Sequence, residues 1–181
     1  YIEEDNRSMG IRIEKIDHNL TTGMRVDVSG VIKTNANRER CILADSAIQT
    51  APPNTTGVIA PLGMNNCAVG GADWQVAETS GQQGLTGLDG LNNVGLLIKI
   101  WGQFHPVDAT TFTVNDGSGL LIRCAVPSDM FLRSNWQYVS VTGVVSIVKY
   151  NTVINHPNIL VREIEVLKPT NPIDIEMVYI P

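Results

Sequence analysis

Charged side chains make up only 17% of these 181 residues and aromatics only 6%. The charge that is present is net acidic, −5, with an isoelectric point near 5.1. Binding a phosphate backbone needs clustered Lys and Arg to displace counterions, so nucleic acid is not an expected partner. No run of about 18 apolar residues occurs, so no helical membrane span is expected, and no basic-then-apolar leader opens the chain. Cysteine is scarce too. Cys41, Cys67 and Cys124 are scattered without CxxC spacing, which excludes the usual zinc and thioredoxin patterns but permits one disulfide with a thiol left over. His18, His105 and His156 fall in separate predicted turns or loops without HExxH spacing, so no metal site is expected. No GxSxG elbow or other nucleophile signature appears. The expectation is a protein that is not an enzyme and carries no cofactor.

What the chain does have is apolar mass, 43% hydrophobic residues, enough for a packed core in one large domain or two small ones. Abundant Gly, Thr, Val, Ile and Asn favour strands and turns over long helices, which predicts an all-β fold. Tyr1 rather than Met opens the sequence, and this predicts a processed chain, export with leader removal being the simplest route. Sequons at Asn6, Asn19 and Asn54 suit an exported glycoprotein, although such triplets arise easily in an Asn/Thr-rich chain. The expected location is extracellular or cell-surface.

An internal repeat organises the sequence. YIEEDNRSMGIRI at 1–13 lies on FTVNDGSGLLIRC at 112–124 without a gap, matching Asp5 with Asp116, Ile11 with Ile122 and Arg12 with Arg123. Each stretch reads as strand, polar turn, return strand. VDVSGVI at 26–32 lies on VSVTGVV at 139–145, with a glycine at the same place, as a bent barrel strand requires. A last strand follows in each copy, at 40–48 and at 159–167. The second copy has in addition a strand before its hairpin, at 95–104, and a stretch at 128–136 with the start signal of a short plugging helix. Five strands with a plug between the third and fourth is the plan of an OB (oligonucleotide/oligosaccharide-binding) barrel. The predicted organisation is an incomplete OB-like barrel at 1–50, a long Gly-rich ordered segment at 51–94, a five-stranded OB-like barrel at 95–168, and a terminal strand within 169–181.

PLGMNN at 61–66, Gly70, Gly71, GLNNVGLL at 90–97, Trp101, Gly102 and NDGSG at 115–119 resemble bacterial and metagenomic cell-surface proteins with paired OB-like units joined by a Gly-rich segment. The resemblance covers roughly residues 1 to 167, with Cys67 where a basic residue is expected. It implies location and fold, and no active site.

Tyr1 aligns with the start of the second strand of the second copy, so the first barrel lacks its first strand. An open barrel leaves two rows of backbone groups unpaired and one side of its core wet. At the other end, after a KPTNP spacer at 168–172, comes IDIEMVYI at 173–180, a surplus strand. Its Ile173, Ile175, Met177 and Tyr179 fall on one face, while Asp174 and Glu176 begin the other. The expected joint inserts this strand into the first barrel of a neighbouring molecule, against Tyr1, Ile11, Ile13, Val26, Val28 and Ile42. Such a head-to-tail contact polymerises identical subunits into a pilus-like filament. Two alternatives stay open: the tail completes its own barrel, or a first strand lies before Tyr1.

Among loops, NDGSG at 115–119 has the composition of a calcium loop, but Asp-Gly is a strong hairpin turn former and the later acidic ligand is missing. Glu3, Glu4 and Asp5 at the equivalent turn read as a solvated acidic turn. Residues 51–94 carry no period, yet Leu62, Met64, Trp74, Leu85, Leu88 and Leu91 offer anchors for an ordered coat across both barrels. The expected function is therefore a structural filament subunit. The alternative is a glycan- or cation-binding module of a larger cell-surface protein, with surface glycans as partners.

Overall fold

The computed structural model of the chain describes residues 1–14, 17–49, 59–77, 80–85, 90–150 and 154–167. Within them the fold is all-β, and the one helical piece is a single 3₁₀ turn at Asn66–Ala68. The first copy contributes four strands: β1 (Ile2–Glu3), β2 (Gly10–Glu14), β3 (Val26–Thr34) and β4 (Arg40–Gln49). They form a sheet of order β1-β2-β4-β3, in which β2 and β4 run parallel and the other pairs antiparallel.

The segment between the copies adds β5 (Leu62–Gly63), β6 (Trp74–Ala77) and β7 (Ser80–Gln82). The second copy follows with β8 (Leu97–Pro106), β9 (Thr111–Asn115), β10 (Leu121–Ala125), β11 (Tyr138–Tyr150) and β12 (Ile154–Leu167). Here the neighbours run β11-β12-β10-β9-β8, and β8 pairs back onto β11, so the five strands close on themselves. β10 and β12 are the parallel pair. β5 pairs in parallel with β8 at Ile98 and Lys99.

The repeat is thus a repeat of topology as well as of sequence: β1, β2, β3 and β4 pair as β9, β10, β11 and β12 do. Even the irregularity is shared. The β3/β4 register shifts between Ser29 and Gly30, and the β11/β12 register shifts between Thr142 and Gly143. A Cβ on Gly30 would stand 2.2 Å from the Leu43 carbonyl oxygen, and one on Gly143 would stand 2.4 Å from that of Leu160. Only glycine fits where the partner backbone comes this close.

Three details differ from the expectations. Glu3 pairs with Gly10, whereas Asn115 pairs with Leu121, so the first hairpin turn is one residue longer and Ile2, not Tyr1, stands where Val114 does. The gap-free alignment therefore slips by one across the turn. The stretch 128–136 forms two turns, closed by Met130 N–H to Pro127 O and Trp136 N–H to Arg133 O, rather than a helix. Nine residues rich in Ser, Asp and Asn leave helix nucleation uncompensated; Met130, Leu132 and Trp136 nonetheless pack on the core. β12 starts at Ile154, ahead of the expected 159, because Pro157 pairs only with β11 and lies before the parallel ladder to β10 begins.

Burial separates the copies. The core cluster runs from Val69 to Val161, with Phe112, Ile98, Ile100, Val139 and Ile159 fully enclosed. Among the described residues of the first copy only Glu39 and Cys41 are buried, while Val31 and Ile32 are each 57% exposed.

Candidate functional site

The feature with a shape of its own lies against one face of the first sheet. A cleft of about 1240 Å³ lies along it, lined by apolar Ile2, Ile11, Ile13, Val26, Ile42 and Ala47. Alternation explains the lining: on β2, Ile11 and Ile13 share one face, and on β3, Val26 and Val28 are the half-buried positions between exposed Asp27 and Ser29. Tyr1, Ile11, Ile13, Val26 and Ile42, five of the six residues expected to accept a strand, stand around this cleft; Val28 is half-buried but outside the lining. The volume exceeds the roughly 300–1,000 Å³ of small-molecule clefts. Ile173, Ile175, Met177 and Tyr179 lie outside the described residues.

In the second copy the space corresponding to the cleft is filled by β8. Ile98, Ile100 and Phe104 point inward, and the Phe104 ring lies 4.9 Å from that of Phe112 and 5.4 Å from that of Trp136. Residues 138–144 of β11 pair with residues 103–97 of β8. In the first copy the matching edge of β3, residues 25–31, has no partner strand among the described residues.

The inner end of the cleft is tied to the second copy by a polar clamp. Glu3 and Arg7 form an ion pair; Glu3 Oε2 accepts from the Leu97 N–H at 2.9 Å, and Arg7 donates to the Leu97 carbonyl at 2.6 Å and to the Ala60 carbonyl. Both backbone groups at the start of β8 are thereby satisfied by the first copy. Beside it, Gly10 and Gly95 meet backbone to backbone: a Cβ on Gly10 would lie 2.3 Å from the Gly95 oxygen. Glu39 completes the joint at 1% exposure. Its carboxylate accepts from Tyr1 Oη at 2.6 Å and Ser146 Oγ at 3.2 Å, and lies 3.6 Å from Arg12. Burial and this bond to Glu39 push the Tyr1 phenol up to about 12.

The connecting segment is knitted by asparagines. Asn66 donates to the Val114 and Leu120 carbonyls at the tip of the β9–β10 hairpin, and its N–H donates to Asp116 at 2.7 Å. Asn93 accepts from Gly70 N–H and donates to Ala68 O. Val69, Leu85 and Val94 join the core, whereas Trp74 and Leu91 are 38% and 91% exposed, and Leu88 lies outside the described residues. Gly95 and Leu97 stand in the GLNNVGLL stretch and Arg12 in the repeat match, but no motif marks them as a joint, and Glu3, expected in a solvated acidic turn, lies instead in β1 with its side chain 10% exposed and paired with Arg7. The doubled asparagines at 65–66 and 92–93 were the available signal for the segment, whereas nothing in the sequence near Glu39 marks it as buried.

Chemistry of other kinds finds little support. Asp116 is engaged inside its own turn, with Ser118 N–H and O–H on Oδ1; burial raises its carboxyl, but these bonds and that from Asn66 outweigh it and hold it below the ordinary range. His105 and His156 lie in β8 and β12 rather than in loops, and His18 lies in a loop. Among the described residues no three His, Cys, Asp or Glu side chains group as metal ligands. Cys41 and Cys124 are buried thiols and Cys67 an exposed one, none in a disulfide. No described helix is long and apolar enough to cross a membrane.

These features define an all-β protein of two related sheets, one closed and one open, with the site in the open one. No protein-family model, curated protein or solved structure matches the chain.

Proposed function

We propose that the chain is a structural subunit of an extracellular filament, made of two OB-type units, in which the C-terminal strand 173–180 of one molecule fills the open groove of the next. The single observation behind this reading is the difference between the two copies: four strands pair in the same order and sense in both, and the fifth, β8, has no counterpart in the first copy among the described residues. An exposed apolar face beside an unpaired strand edge is unstable against association, and strand addition is the contact that satisfies both at once.

A head-to-tail contact between the tail of one molecule and the groove of the next, where its rotation does not close on itself, propagates as a filament.

Deleting residues 169–181 is expected to leave short soluble particles in electron micrographs where the whole chain forms filaments; filaments that persist after the deletion overturn the proposal. A glycan-binding module of a larger surface protein is the second reading, favoured by Trp101 and Tyr138, 52% and 46% exposed on the adjacent strands β8 and β11. A glycan-array signal from a chain that forms no filaments, retained after the deletion, selects it.

A further inference from the structure

We infer that the tail enters the groove as a copy of β8 in one register, with Ile173 standing for Ile98, Ile175 for Ile100, Met177 for Gly102 and Tyr179 for Phe104, a register that presupposes the strand donation proposed above. IKIWGQF at 98–104 and IDIEMVY at 173–179 share the isoleucine pair and the aromatic six residues on. In β8 these are the inward residues, 0%, 0% and 4% exposed.

Hydrophobic alternation alone cannot fix this register, because a slip of two residues keeps the same face inward. The likeness to β8 does fix it. Gly143 pairs with Ile98, Thr142 with Lys99, Val141 with Ile100 and Ser140 with Trp101. Their counterparts in the first copy are Gly30, Ser29, Val28 and Asp27, by the shared bulge. Ile173 then faces Gly30, Asp174 faces Ser29, Ile175 faces Val28, and Glu176 faces Asp27. On the other edge Val114 pairs with Phe104, and its counterpart Ile2 faces Tyr179. The strand runs antiparallel to both β1 and β3, as β8 runs to β9 and β11.

The match departs at Met177. A Cβ on Gly102 would lie 2.4 Å from the Asn115 oxygen, so a methionine in that place needs β1 to stand further from the donor than β9 stands from β8. The register also sets Glu176 against Asp27, like charges across a ladder, which weakens the joint. A slip of two would instead set Glu176 against Arg25. Glu176→Lys therefore distinguishes the alternatives: in the inferred register it slows tail dissociation by about two- to fivefold at low salt, and in the slipped one it speeds it.

The direct test is cysteine cross-linking of the full chain in a Cys67→Ser background, with oxidation and non-reducing electrophoresis. Facing residues of an antiparallel ladder lie about 4.5–5.5 Å apart at Cα, within disulfide reach. Ser29→Cys with Asp174→Cys, and Asp27→Cys with Glu176→Cys, are expected to give covalent ladders, while Asp27→Cys with Asp174→Cys and Ser29→Cys with Glu176→Cys are not. Ladders from the latter pairs overturn the register and leave strand donation standing. Cross-linked monomers from the former pairs keep the register and overturn polymerisation. Filaments without a cross-link in any pair overturn both.

Discussion

Glu39 gathers Tyr1, Ser146 and Arg12 around one buried carboxylate and so joins the two copies. Glu39→Ala leaves the buried Ser146 hydroxyl without its acceptor while Arg12, 37% exposed, stays hydrated, and is expected to destabilise the subunit by about 1–3 kcal/mol, and Ser146→Ala by about 1 kcal/mol, as read from urea midpoints. The phenol of Tyr1 titrates higher in the folded chain than its ordinary 10.0, so it holds its proton more tightly when folded. Its contribution is whole below about pH 10 and is lost as the pH rises toward 12. Tyr1→Phe should flatten that part of the stability profile, and an unchanged fall between pH 10 and 12 would count against the Glu39 contact. This cluster was illegible in the sequence because it is assembled from three distant segments. Glu39 sits in an Asn- and Arg-rich turn, where a glutamate ordinarily faces water.

At the scale of strands, Gly30 and Gly143 are chemically equivalent but differently loaded. An added methyl at Gly143 meets the Leu160 oxygen and the Ile159 side chain inside a closed core, where neighbours cannot retreat. At Gly30 it meets the Leu43 backbone in an open sheet with a free edge. Gly143→Ala is therefore expected to cost about 1–3 kcal/mol by the overpacking route, and Gly30→Ala less in the dissociated subunit. Equal losses in thermal melts would show that the first sheet is as constrained as the second. The bulge glycines were readable because strand alternation frames them and both copies repeat the pattern. The one-residue difference in hairpin turns was not, since Arg7 absorbs it in the left-handed region at φ 61° while reaching across to Leu97, a long-range contact that no local pattern encodes. The turns at 128–136 were missed for a related reason: their Met, Leu and Trp anchor to the core whatever backbone carries them.

For the whole molecule, the shared strand order of the two copies is visible in the sequence, but the cleft against the first sheet needed the three-dimensional pairing. That cleft also predicts how stability is distributed. The second copy encloses its core and closes its ladder on every strand, whereas the sheet of the first has two edges without a partner strand among the described residues, β1 and β3, and a wet apolar face. Amides with few buried contacts and no partner strand exchange through low-energy openings. In the dissociated subunit, the amides of residues 25–31 that point away from β4 should exchange rapidly, and those of residues 138–144 slowly. On assembly the first set should gain protection while the second stays as it was, because the donated strand supplies to β3 what β8 already supplies to β11. Hydrogen exchange with mass spectrometry on subunit and filament measures this directly. Protection at 25–31 already present in the dissociated subunit, and unchanged on assembly, would mean that the groove is filled from within the same chain and that polymerisation uses another surface.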